Sequence, residues 1–263
     1  PAEEVMRESG QRTLALLEAQ GFPVDECVCA GISVPGTVDQ RKGVVCYSNN
    51  IRWKQVEVAK QISEYLPLPI HVANDADCAA LGEATAGAGR EYQDVVMLTL
   101  GVGVGGGVIL DGEICAGRNI GGNELGHMVI VEDGETCTCG RHGCLEAYVS
   151  VRALVRDTER VTGQEMTPEE IFAQAEAGNA ELKELIRKYT GRLGTGLVNV
   201  VNIFRPQLVL LGGELSAQME PLLPSLQSML KEGCFGGADS EYPDIKIAAL
   251  GNDAGVIGAA SLT

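Results

Sequence analysis

The sequence predicts an α/β protein, and three observations carry that prediction. Glycine is abundant, at 34 of 263 residues, which suits a chain with many tight turns. Aromatic residues make up only 4%, which suits a β-sandwich less well. Short apolar runs that end in Gly or Pro alternate with stretches of helical period. A chain of this length can build one core or two lobes, and 45% apolar residues are ample for a buried interior.

Taken in order, PAEEVMRESGQRTLALLEAQG places Val5, Leu14 and Leu17 in a helix that stops at Gly21, a glycine C-cap. CVCAGISV is a buried strand ended by PGTV, and VVCYSNN is a second, shorter strand. In QVEVAKQISEYLP, Val58, Ile62 and Tyr65 or Leu66 share one helical face. PIHVA is a strand that runs into NDADCAALGEATAG, an alanine-rich helix. DVVMLTLGVGVGGGVILDGEI reads as two strands joined by a glycine-rich turn. Beyond a Cys/His-rich segment, helices are expected over 150–160, 168–177 and 180–204. In the last of these Leu182, Leu185, Ile186, Tyr189, Leu193 and Leu197 keep the helical period. QLVLLGGELS is strand, glycine turn and helix, DIKIAAL a strand, and AGVIGAASL a closing helix.

The charge balance is acidic, 36 Asp plus Glu against 20 Lys plus Arg, for a net −16. No basic cluster interrupts it, so neither nucleic acid nor an anionic membrane is expected as a partner. A phosphate can still be held where backbone N–H groups or a cation supply local positive charge. The longest apolar run, 95–110, is broken by Thr and Gly and does not resemble a membrane span. No signal-peptide pattern opens the sequence, so a reducing, cytoplasmic setting is expected. In that setting Cys27, Cys29, Cys46, Cys78, Cys115 and Cys234, scattered through apolar runs, are expected to be small buried hydrophobes.

The other three cysteines lie close together. His127 precedes Cys137 by ten residues; Cys139 follows after two, and Cys144 after five more. Three thiolates and one imidazole fill the four positions of a tetrahedral zinc, and a filled site is structural because no position remains for an activated water. Gly134, Gly140 and Gly143 let the loop curl around an ion. Free thiols, or a Cys137–Cys144 disulfide, are the alternatives. Glu124 and Glu146 stand near the two ends of this loop. Carboxylates accept pairs of hydroxyl hydrogen bonds, so a polyhydroxylated ligand such as a sugar would suit them; otherwise both are solvated charges.

The run LTLGVGVGGG lets backbone N–H groups approach an anion, although it equally suits a plain hairpin and is neither a Walker A nor a dinucleotide fingerprint. Gly212 and Gly213 precede an expected helix and could hold a nucleotide or form a packed turn. Asn74, Asp75 and Asp77 stand where a strand opens onto a helix, the end at which such sheets gather ligands. Asp75, beside the polar Asn74, is the better candidate for a general base; Asp77 is accounted for by helix-terminus electrostatics.

Taken together, GISVPGTVD, NDADCAALGE, LTLGVGVGGGVILDGEI, GGNELGH, CTCGRHGCLEAY and LVLLGGELS, in that order, resemble the ROK family of repressors and sugar kinases over nearly the whole chain. The resemblance implies a two-lobed actin/hexokinase-like fold with a ribonuclease-H-like core in each lobe. The first lobe would hold residues 1–89 with the helix at 252–263, and the second residues 90–251. It implies ATP-dependent phosphorylation of a hexose, glucose first, with Asp75 as base. Asn74, Glu124, His127 and Glu146, with Gly36, Thr37 and Asn49, would bind the sugar. Thr99, Gly101, Gly103 and Gly105 would face the phosphates, and Gly212 and Gly213 the adenosine. His127, Cys137, Cys139 and Cys144 would hold the structural zinc, His127 also turning its other nitrogen toward the sugar. Mg-ATP would be the donor and a homo-oligomer, dimer or tetramer, the assembly. An N-acetylmannosamine or N-acetylglucosamine kinase, and a non-catalytic ROK sugar sensor, are the alternatives. Three departures stand out. Family kinases open on a strand and an Asp-Gly-Gly-Thr turn that the matched segments here begin beyond, so a first lobe incomplete at that side is expected. Val102 replaces a Thr of a Gly-Thr-Gly turn, and Asp77 replaces an Asn.

Overall fold

The computed structural model describes residues 1–115, 117, 119–236 and 240–262. In chain order the elements are α1 (Ala2–Gln20), β1 (Ala30–Val34), β2 (Thr37–Asp39), β3 (Val44–Ser48), β4 (Trp53–Val56), α2 (Val58–Ser63), β5 (Ile70–Asn74) and α3 (Asp75–Ala86). They continue with β6 (Val95–Leu100), β7 (Val104–Leu110), β8 (Glu113–Ile114), α4 (Glu146–Val149), α5 (Val151–Thr162), α6 (Pro168–Glu176) and α7 (Ala180–Phe204). The chain closes with β9 (Leu208–Gly212), α8 (Ser216–Met219), α9 (Leu223–Gly233), β10 (Asp244–Ile247) and α10 (Asp253–Ala260).

Strands β1 and β5 pair in parallel, Ala30 opposite Ile70, while β2, β3 and β4 form an antiparallel three-stranded sheet. Met6 of α1, Val34, Val45, Val72 and α2's Val58 and Ile62 share one core with these strands. The second body is a mixed five-stranded sheet in the order β10-β9-β6-β7-β8. Its central strand β6 is buried on both sides, because alternate residues point to opposite faces. Val96, Leu98 and Leu100 meet the large core built with α5, α6, α7 and α9. Val95 and Met97 meet Ala80 of α3. No helix among the described residues is long and apolar enough to cross a membrane.

Local signals account for the helix ends. Gly21 closes α1 in the left-handed conformation. Thr167 and Glu170 form a capping box at α6, and Asn179 caps α7. Three expectations change. Gln55 and Val56 belong to strand β4, where the edge pairing Val45–Val56 overrides the helical period. The segment PGTV was expected only to stop the preceding strand, but its Thr37 and Val38 begin a strand of their own, Thr37–Asp39. Of the six cysteines expected in the interior, only Cys78 and Cys234 are buried; Cys27, Cys29 and Cys115, which lie between elements, and Cys46 on β3 are half-buried.

Helices α3 and α10 lie between the two bodies. Small residues let them touch: a Cβ on Gly82 would come within 2.1 Å of the Ala254 carbonyl, and one on Gly258 within 1.7 Å of the Cys78 carbonyl. The chain passes from the first body to the five-stranded sheet through residues 87–94 and returns through 248–252.

Candidate active site

A cavity of about 440 Å³ opens between the bodies. Its floor is the switch from β5 to α3. Asn74 ends the strand, and its Oδ1 accepts the N–H groups of Ala76 at 2.8 Å and Asp77 at 3.3 Å, capping the helix. Its Nδ2 donates to the Gly36 carbonyl at 2.9 Å, so one side chain ties the Gly36–Thr37 turn to the helix start. Asp75 is the first helical residue and is exposed at the cavity, with Oδ1 accepting the Ala76 N–H at 3.0 Å. Burial pushes its carboxyl above the ordinary value, against the pull of the Ala76 and Asp75 N–H groups and Asn74.

Glu124 and Glu146 line the same cavity. Glu146 is 8% exposed. Its Oε2 accepts the Val104 N–H at 3.0 Å, and its Oε1 accepts the Thr138 hydroxyl. One carboxylate therefore joins the Cys-rich loop to the turn between β6 and β7. Burial pushes Glu124 up as well; His127 opposes this, and Asp75 and Glu146 add to it.

Thr99, Gly101, Gly103 and Gly105 form the wall facing Asp75. The space a Cβ would need at Gly103 is taken by Glu146 Oε2, 2.7 Å away, and at Gly105 by Thr99 Oγ1, 2.5 Å away. Gly101 borders open space. Gly213 also lines the cavity, with φ +86°, whereas Gly212 does not; its missing Cβ makes room for Met97. The helix that follows, α8, has only four residues.

The donor atoms of His127, Cys137, Cys139 and Cys144 all lie within 4.8 Å of one another. His127 Nδ1 is 3.6 Å from Cys137 Sγ, and Cys139 Sγ is 3.8 Å from Cys144 Sγ. A tetrahedral zinc with ordinary bond lengths puts sulfur and nitrogen about 3.6 Å apart and two sulfurs about 3.8 Å apart. All nine cysteines are free, so the disulfide alternative does not describe this loop. Burial pushes the Cys137 thiol up to about 12, a cost that a neighbouring cation would remove. The loop closes through Gly143, at φ +78°, where a Cβ would meet the Val131 carbonyl at 1.7 Å. Arg141 Nη2 donates to the His127 carbonyl at 2.9 Å, tying the two ends together.

The structure thus brings Gly36, Thr37, Asn74, Asp75, Thr99, Gly101, Gly103, Gly105, Glu124, Glu146 and Gly213 to one cavity. Three expected residues stand outside its lining: Asn49, Gly212 and His127. In the turn after β3, Asn50 faces the cavity while Asn49 accepts the Tyr47 hydroxyl at 3.5 Å. Two adjacent Asn carry the same chemistry, and only the turn chooses between them. His127 turns Nδ1 to the thiols. Sequence reasoning also missed Asn123 and Thr138. Asn123 Nδ2 donates to Asp77 Oδ1 at 3.0 Å and to the Cys115 carbonyl at 2.9 Å. Its place next to Glu124 was the available signal.

Known proteins share this arrangement of chain. The glucokinase of Halalkalibacterium halodurans is 32% identical over 243 residues, 87% of this chain and 73% of that protein. A xylose repressor of Caldicellulosiruptor bescii is 30% identical over 78% of this chain, but over only 55% of its own length. Among solved structures, the ROK hexokinase of Thermus thermophilus superimposes with a TM-score of 0.84 at 31% identity, covering 98% of this chain and 84% of that one. A ROK glucokinase of Streptomyces griseus, in complex with glucose and AMPPNP, gives 0.77 at 30% identity over 97% and 86%. These neighbours have the two-lobed actin/hexokinase-like fold that the two bodies and intervening cleft describe here. The sequence model of the ROK family matches residues 10–263, and with that span, fold and cleft in common this chain belongs to the ROK family.

Proposed function

We propose that this protein is an ATP-dependent sugar kinase that phosphorylates a hexose, glucose first, with Asp75 as general base. One observation carries the reading: three separate segments deliver the carboxylates of Asp75, Glu124 and Glu146 to a cavity whose facing wall is the Thr99–Gly105 turn. The likeness to glucokinases, one of them holding glucose and AMPPNP, supports it.

A sugar presents a row of hydroxyls, and Glu124 and Glu146 offer acceptors for them. Glu146 is held in place by the Val104 N–H and the Thr138 hydroxyl, so its free lone pairs point in a fixed direction. Asn74, Gly36 and Thr37 close the opposite side. Asp75 accepts the proton of the attacking hydroxyl while its oxygen bonds to the terminal phosphorus and the bond to the departing ADP breaks. Its raised pKa makes it a better base than an ordinary aspartate. Thr99 and the backbone of Gly101–Gly105 position the phosphates, and Gly213 borders the nucleoside. Magnesium, bound with ATP, neutralises phosphate charge. His127, Cys137, Cys139 and Cys144 would hold a zinc ion that would stiffen the loop, since four protein ligands would leave no open position. Residues 1–89 with 252–263, and 90–251, act as the two lobes that meet on the substrates.

A coupled ADP-release assay over glucose, mannose, N-acetylmannosamine and N-acetylglucosamine tests this. Glucose is expected to give the highest kcat/KM. Asp75→Asn is expected to bind sugar as before while kcat falls by about 10² to 10⁴-fold. Sugar binding by the unaltered chain with no ADP released from any substrate would sink the kinase reading. That result would leave a sugar-sensing role, which the likeness to the xylose repressor favours.

A further inference from the structure

Glu83, near the end of α3, is fully buried, and nothing in the reaction uses it. Its carboxylate accepts two backbone N–H groups, that of Ala88 at 2.8 Å on Oε2 and that of Leu250 at 2.6 Å on Oε1. Its own carbonyl accepts the N–H groups of Gly87 at 3.0 Å and Gly89 at 2.9 Å. Among the described residues no Lys or Arg forms an ion pair with it.

The partners are 162 residues apart in sequence, Ala88 against Leu250, and they lie on the two stretches where the chain crosses between the bodies. Three successive N–H groups of the outgoing crossing and one of the returning crossing converge on a single residue. Gly87 has no Cβ because that atom would sit 2.1 Å from Glu83 Oε2. The helix that carries Glu83 is fixed against α10 by backbone contact at Gly82 and Gly258. A rotation of one body against the other therefore bends the chain at 87–89 and near 250, on either side of this carboxylate. Detaching the buried carboxylate is costly, because the Ala88 and Leu250 N–H groups would each be left without a partner. Hinges of this kind are a few loop residues that absorb the backbone change.

We propose that Glu83 is a positioning residue that ties the two crossings into one hinge, setting the axis about which the lobes close on their substrates. The inference rests on the kinase reading only for its effect on turnover; the hinge itself is a property of the fold.

Glu83→Gln keeps the shape but turns an amide donor toward one of two N–H groups. Small-angle scattering with and without glucose plus AMPPNP, glucose affinity, and kcat are measured together. The unaltered chain is expected to compact on ligand binding. In the variant, glucose affinity stays within about threefold, the compaction shrinks to less than about half, and kcat falls on the order of tenfold to a hundredfold. A folded variant that compacts as before and keeps its kcat overturns the proposal. Should the variant not fold, hydrogen exchange on the unaltered chain decides. The Ala88 and Leu250 amides are expected to share one protection and to shift together when glucose is added; independent protection overturns the hinge. An unaltered chain that compacts, with those two amides coupled, yet releases no ADP keeps the hinge and removes the kinase reading.

Discussion

Asp77 stands two residues beyond the proposed base and is 5% exposed, with the Asn123 amide as its hydrogen-bond donor. Burial pushes its carboxyl up to about 6, Asn123 pulls against that, and the nearby Glu124 and Asp75 add to it. The sign of the consequence follows from linkage. An unfolded aspartate gives up its proton near pH 4 and the folded one near pH 6, so stability falls as pH rises through that window and stays lower above it. A shift of this size corresponds to at most on the order of 3 kcal/mol. An asparagine there would still accept the Asn123 hydrogen bond and would carry no charge. Thermal melts of Asp77→Asn should match the unaltered chain near pH 4 and exceed it by a growing margin up to pH 6. A margin that is flat across this range would show that Asp77 titrates normally. Asn123 has φ +62°, a conformation Asn tolerates, and by holding both Asp77 and the Cys115 carbonyl it sets where Glu124 enters the cavity.

Strand β7 shows how one element can be read two ways. Its run Gly105–Gly106–Gly107 suits a phosphate cradle, yet the tertiary contacts give it a packing role as well. Alternate residues face opposite sides of a strand, so Gly105 and Gly107 admit Ala76 and Ala80 of α3 while Gly106 admits Leu125. The helix carrying Asp75 can then lie directly on the sheet. The Cys-rich loop is the second such element, gathering the donor atoms of His127, Cys137, Cys139 and Cys144 and meeting Glu146 through Thr138. Elemental analysis of the gently purified chain should find about one zinc per molecule. Removing it with a chelator should lower the melting temperature and weaken glucose binding more than nucleotide binding, because Glu146 loses its loop-side anchor. A chain free of zinc that melts and binds glucose unchanged after chelation would remove the ion from the account.

The molecule as a whole carries a net −16, and its cavity adds Asp75, Asp77, Glu124 and Glu146 on one lining. A neutral sugar is indifferent to that field, whereas a nucleotide is repelled by it until magnesium and salt screen the charge. Raising monovalent salt from about 10 mM to about 150 mM shortens the screening length from roughly 30 Å to roughly 8 Å. The KM for the nucleotide should fall several-fold over this range while the KM for glucose stays level. A nucleotide KM that rises with salt would instead point to attraction by positive charge at the site.

The helices and most strands were legible from period and punctuation, because caps such as Gly21, Thr167 and Asn179 act within a few residues of chain. The grouping of His127, Cys137, Cys139 and Cys144 was legible too, because their spacing is local, and the four donor atoms do come together. Other outcomes depended on the folded chain. Which of Asn49 and Asn50 faces the cavity was decided by the turn that carries them, which of Gly212 and Gly213 borders it by packing against Met97 and Leu100, and whether Gln55 extends a helix or joins a strand by pairing with β3. The buried link from Glu83 to Leu250 spans 167 residues and has no local signature. Short-range preferences set which elements form; the packing of one element against another sets which of several equivalent residues meets the ligand or holds the hinge.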